Sequence, residues 1–281
     1  MTRLNFFEKM EREIDYQKEY EKIEDIILNE NLPFSLEYDI SDNFRNWRHR
    51  RNFTSFLELR EYFGFTYSFS NGMSKYKNIT GKVQNIERFL LYCEMIANVF
   101  IGTHVLNNER TINTSNAKAI METIEYDIEQ IGFKLFRPDF SRVIIVQKDP
   151  VATAVADVVE YNLAKEIISY NHHLLKGDIE SKKAILKKMT DALEPKRKEL
   201  KSINKTIETD FFYLVNSMDI RHNNCDIQDS NNYNEKFDKL SNKEKEKWYD
   251  EIYQEGLMAF LVLEQAKRNV RINEFKNNQN I

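Results

Sequence analysis

Seven glycines and four prolines are all that punctuate a chain of 281 residues. These two residue types supply most tight turns and strand breaks, so their scarcity argues against a loop-rich β architecture and for long helices. The apolar spacing agrees. Leu4, Phe7, Ile14, Tyr20, Ile23, Ile26 and Ile27 make an amphipathic helix of residues 3–29, stopped at Asn31-Leu32-Pro33. Ile86, Phe89, Leu90, Cys93, Ile96 and Phe100 predict a helix over about 84–106, and Ile120, Ile124, Ile128 and Ile131 another over about 115–131.

Past Gly132 the period changes. Phe133–Phe136 and Val143–Gln147, joined by the turn-prone Arg137-Pro138-Asp139, predict a β-hairpin, the one clear sheet element. Asp149-Pro150 opens the next helix with an acidic cap and a first-turn proline, and it should run to Lys176, with Gly177 as its left-handed cap. Asp178 starts a helix to about Leu193, and Pro195 sits in the first turn of its successor. In that successor Ile203, Ile207, Phe211, Leu214, Val215 and Met218 recur at helical spacing. An Asn/Asp-rich loop from Asn223 to Leu240 leads to the capping box Ser241-Asn-Lys-Glu244 and a last helix to about Phe275. There Trp248, Ile252, Gly256, Ala259, Phe260 and Leu263 share a face, and the two small residues would admit a neighbouring helix closely. Residues 34–84 carry short apolar runs, an aromatic stretch over 62–69 and a polar tail, Ser70–Gly81, that reads as a loop. The expected fold is mainly α, a multi-helix bundle with one small β-hairpin near 133–147. It divides into a helical region 1–131 and a hairpin plus helical bundle 132–281.

Composition excludes several functions. A net charge of −4 gives no global pull toward nucleic acid or an anionic membrane, so such contact would need a local patch. Cys93 and Cys225 lack a C-x-x-C partner, which speaks against zinc and for a reducing compartment. The charged N-terminus lacks a signal-peptide core, and no run of about 18 apolar residues could span a bilayer. The expectation is a soluble cytoplasmic protein without a membrane or a cofactor. No phosphate-binding, dinucleotide, serine-elbow or zinc-protease signature occurs.

Three clusters could carry chemistry. Asp219-Ile-Arg221-His222-Asn223-Asn224-Cys-Asp226 stands where the apolar helix ends. Arg221 has the donor fork for a phosphate, His222 the near-neutral pKa of a general acid or base, and Asn223, Asn224 and Asp226 could orient substrate. The structural alternative is a helix terminus, where cations favour the dipole and asparagine accepts left-handed geometry. The basic knot Arg45-Asn-Trp47-Arg48-His49-Arg50-Arg51 could grip phosphates and stack a base on Trp47, or be an exposed face balanced by Glu58 and Glu61. Asp157, Glu160, Glu166, His172 and His173 offer carboxylate and imidazole, but no Glu-x-x-His pair, so no metal is expected.

A long apolar helix ending in the cluster Asn216-Ser-Met-Asp-Ile-Arg221-His222-Asn223-Asn224, then a polar loop and another long helix, resembles the HEPN superfamily of bacterial defence and toxin ribonucleases over about 150–275. The family motif is an arginine with a histidine four to six residues beyond. Arg221 fits it, whereas positions 226–228 are Asp226, Ile227 and Gln228 and the nearby histidine is the adjacent His222. The resemblance implies an RNA-directed defence protein, usually dimeric and cutting RNA without metal. His222 would assist attack of the 2′-hydroxyl while Arg221 met the developing charge. The alternative is a non-catalytic helical module that binds a partner or forms a homodimer through its C-terminal helices.

Overall fold

A computed structural model describes residues 14–28, 36–47, 50, 52–70, 74–79, 82–106 and 112–278. The chain forms two compact units, Met1–Lys148 and Asp149–Ile281. The first holds α1 (Tyr16–Leu28), α2 (Leu36–Asn43), α3 (Phe56–Tyr62), β1 (Phe65–Ser70), β2 (Ser74–Ile79), α4 (Ile86–Gly102), α5 (Ile112–Gln130), β3 (Phe133–Asp139) and β4 (Arg142–Gln147). The second holds α6 (Pro150–Ala156), α7 (Tyr161–Ser169), α8 (Ile179–Leu193), α9 (Arg197–Ile203), α10 (Lys205–Ser217), α11 (Glu235–Asp238) and α12 (Asn242–Asn278). The mainly α character and the 133–147 hairpin match expectation. Among the described residues no helix is long and apolar enough to cross a membrane.

In the first unit α4 is apolar nearly all round and fully enclosed from Phe89 to Phe100, apart from Leu91. Asn85 accepts a hydrogen bond from Arg88 N–H and starts it. Helix α4 also closes a sheet edge. Asn98 Nδ2 donates to Val143 O at 2.7 Å, Val143 N–H donates to Asn98 Oδ1 at 2.9 Å, and Ile145 N–H donates to Glu94 Oε2 at 2.8 Å. Side chains of one helix thus occupy backbone groups that a further strand would otherwise seek. This draws Val143 and Ile145 into the N-terminal core and puts the boundary after Lys148, not after residue 131.

A second departure lies at 65–79, where an antiparallel hairpin pairs Phe65 with Ile79 and Ser70 with Ser74. The expected loop at Ser70–Gly81 is largely strand β2. Its composition hid it, because Ser74-Lys-Tyr-Lys-Asn-Ile79 carries only two apolar residues and so gives no strand signal. Nearby, Arg60 is fully buried, its guanidinium bound to Glu24 and Glu37 and lying 3.6 Å from the Phe65 ring centroid. Tyr92 donates to the second oxygen of Glu24 at 2.8 Å. Burial and the nearby Glu24 carboxylate hold the Tyr92 phenol well above its ordinary pKa.

In the second unit α12 is the spine against which α6, α8, α9 and α10 pack. Ser241 and Glu244 form the expected reciprocal capping box. The single helix expected over 149–176 is instead α6, α7 and a 3-10 turn at His173–Leu175. Two β-branched residues, Val158 and Val159, precede Glu160, whose carboxylate caps Leu163 N–H and restarts the helix. Gly177, at φ 81, takes the left-handed cap as expected, and Asp178 caps Ser181 N–H. Asn204 likewise splits the next expected helix, ending α9 and accepting from Ile207 N–H to begin α10. Ile203 is consequently exposed rather than part of the α10 stripe.

Candidate functional site

Helix α10 ends at Ser217, and Asp219, at φ 61, turns the chain into the left-handed region. Buried Ile220 then anchors the turn, and Arg221 N–H donates back to Val215 O at 3.0 Å. Asn224 is 3% exposed and knits this terminus to the loop. Its Oδ1 accepts from Asp219 N–H at 2.7 Å, its Nδ2 donates to Asn232 O, and its carbonyl accepts from Asn234 N–H at 2.8 Å. Asn234 in turn donates to Ser217 O and caps α11 through Phe237 N–H. Lys183 pairs with Asp219. The asparagine-rich sequence is therefore a built structure: short amide side chains stand in for the backbone partners that a loop of irregular dihedrals cannot supply.

This placement separates Arg221 from His222 and keeps only His222 and Asn224 along one cleft. Arg221 is paired with Glu194 at 3.0 Å. His222 is exposed and borders a cleft of about 520 Å³ with Asn216, Asn224, Tyr233 and Lys236; Arg221 is not part of its lining. Asp226 accepts from Gln228 N–H at 2.9 Å in a local turn, and Asn223 is exposed, with a long contact of 3.5 Å to Asp226. Arg221, His222, Asn223, Asn224 and Asp226 do not converge on one reacting position. Asn224 in particular is committed to the fold.

The basic knot also resolves into structure. Trp47 is 2% exposed, edge-on to Phe44 at 5.6 Å, and cannot stack a base. Gly102 at the end of α4 makes room for it, since a Cβ there would lie 2.1 Å from Trp47 Cδ1. Arg50 donates to Arg45 O and ties the turn, while Arg45 itself is exposed. Arg48 and Arg51, like His49, lie outside the described residues. Of the carboxylate and imidazole group, Glu160 is a helix cap and Glu166 is paired with Lys188.

A groove that periodicity did not reveal runs between α10 and α12, with a volume of about 620 Å³. Its walls carry Tyr213 and Trp248, 65% and 40% exposed, and the carboxylates Asp210, Glu244, Glu251 and Glu255 against one Lys247. Partial burial, then the carboxylates of Asp210 and Glu251, raise the Glu255 pKa above its ordinary value. Trp248 was expected on the packed face with Ile252 and Gly256, but it turns outward. The signal available was the run of acidic residues three and four apart beside an aromatic, which reads equally as a solvated face.

The far end of α12 is equally open. Leu263 is its last buried residue, and every residue from Lys267 to Asn278 is exposed, Val270, Ile272 and Phe275 included. Lys267, Arg268 and Arg271 gather around the single Glu264, at 3.8, 3.5 and 3.2 Å. The small residues Gly256 and Ala259 face inward instead. A Cβ on Gly256 would meet Met189 at 2.9 Å and Phe211 at 3.2 Å, so α8 and α10 of the same chain use that close approach. Comparison with family models, curated proteins and solved structures finds no match for the chain.

Proposed function

We propose that the protein is a non-catalytic helical interaction module that self-associates through α12. The observation that carries this reading is the uncovered end of that helix. Isolated helical segments of this length are marginal in water, and packing of an apolar face normally holds them. Here Val270, Ile272 and Phe275 project from a helix with no cover among the described residues. Light scattering on the full chain tests it. The expected mass is twice the chain's 33.6 kDa, and a monomer at every concentration would overturn the reading.

A second reading, a HEPN-like metal-independent ribonuclease, draws on one observation: His222 stands exposed on a polar cleft beside Lys236 and Tyr233. Against it, Arg221 is engaged with Glu194 and belongs to other surroundings. Incubation with a mixed RNA pool in EDTA separates the two. The interaction module leaves the RNA intact; cleavage that disappears in His222→Ala would replace it with the nuclease.

A further inference from the structure

The outward face of α12 carries a heptad spacing of threes and fours: Trp248, Glu251, Glu255, Met258, Val262, Gln265, Asn269, Ile272 and Lys276. Charge is unevenly divided along it. Before Phe260 the face is acidic, through Glu244, Glu251 and Glu255, with Asp210 joining across the groove. After Phe260 the helix is basic: Lys276 stands on this face and Arg268 flanks it, while Lys267 and Arg271 lie on its far side. One half is a groove with aromatic walls; the other is a projecting rod with exposed apolar side chains.

We propose, resting on the self-association reading above, that the occupant of the α10/α12 groove is the basic end of α12 from a second copy, packed antiparallel about a two-fold axis level with Phe260. A two-fold pairing sets against each other residues equally far before and after that point. Trp248 then meets Ile272 of the second copy, and Met258 meets Val262 of the second copy. Glu244 faces Lys276 of the second copy, Glu251 faces Asn269 beside Arg268, and Glu255 faces Gln265. Apolar residues fall opposite apolar ones, and each carboxylate opposite a cation or an amide. Trp248, Met258, Val262 and Ile272 meet a-to-d as apolar pairs do in an antiparallel coiled coil, the polar seam positions between them set register, and the spacing of threes and fours keeps the two faces together over about 36 Å of helix. A parallel pairing would set Glu251 and Glu255 against their own copies and repel. The pairing also covers Trp248 and brings Arg268 of the second copy beside the acidic wall at Glu251.

Charge reversal and cross-linking test the arrangement on the full chain. Glu251→Arg and Arg268→Glu should each weaken the dimer by at least about tenfold, with circular dichroism unchanged because both sites are exposed, and the double variant should recover it. With Cys225→Ser as background, Glu251→Cys combined with Asn269→Cys should form a covalent dimer under mild oxidation. Those two positions lie about 27 Å apart on one helix, so no bond can close within a chain. A dimer that persists in both charge variants without cross-linking overturns this geometry and leaves self-association standing. A wild-type monomer overturns both.

Discussion

Asn224 shows how a residue that looks chemical can be wholly structural. It satisfies Asp219 N–H and Asn232 O from a position nearly closed to solvent. Asn224→Ala should therefore cost about 2–3 kcal/mol in denaturant unfolding, because two backbone groups lose their partners. Arg221→Ala, which breaks a half-exposed pair with Glu194, should cost under about 1 kcal/mol. An Asn224→Ala variant as stable as wild type would contradict the scaffold role. Asp127 provides a pH test. Burial, and secondarily Glu19, push its carboxyl up to about 6, and its Oδ2 has no hydrogen-bond partner among the described residues. A folded pKa above the unfolded value of 3.8 means the stability it contributes is present at low pH and is lost as pH rises through about 6. Asp127→Asn should thus be more stable than wild type at pH 8, by about 1–2 kcal/mol after allowance for solvent screening, with the gap closing below about pH 4. Equal thermal melting temperatures at pH 8 would refute it.

At the scale of elements, side chains finish what the backbone leaves open. Glu94 and Asn98 close the edge of β4, and Asn98→Ala should expose Val143 N–H and C=O together. The expected result is a loss of about 2–3 kcal/mol and faster aggregation on heating, read by denaturation and static light scattering. The elements with dense apolar runs, α4, α5 and β3–β4, are legible in the sequence because those runs are uninterrupted, and α8 because Asp178 marks its start. The breaks at Glu160 and Asn204 were not. Each depends on one polar side chain choosing to cap a new helix, while the apolar residues on either side keep nearly the same phase. Trp47 was misjudged for a related reason: its basic neighbours suggested a surface, but room for it comes from Gly102, far away in sequence. Strand β1 does alternate, Phe65, Tyr67 and Phe69 against Thr66, Ser68 and Ser70, but its partner β2 offers only Tyr76 and Ile79 among polar residues and reads as a loop.

At the scale of the whole chain, each unit has its own logic. The first encloses α4 and ties Arg60 to Glu24, Glu37 and Tyr92; the second packs short helices along α12. The polar cluster at 219–226 and the basic knot drew attention because they are dense in functional residue types. The outward face of α12 has no such density, since its groove and its projecting end lie on either side of Phe260 and would come together only in a pairing of two copies. Salt should weaken such a seam, so the dimer is expected to loosen between about 0.05 and 0.5 M salt. Sedimentation velocity of the full chain at low salt, across a concentration series, reads self-association itself. The expected species has twice 33.6 kDa, shifts toward the monomer in Glu251→Arg and returns in Glu251→Arg/Arg268→Glu. A single monomeric boundary at all concentrations would contradict it.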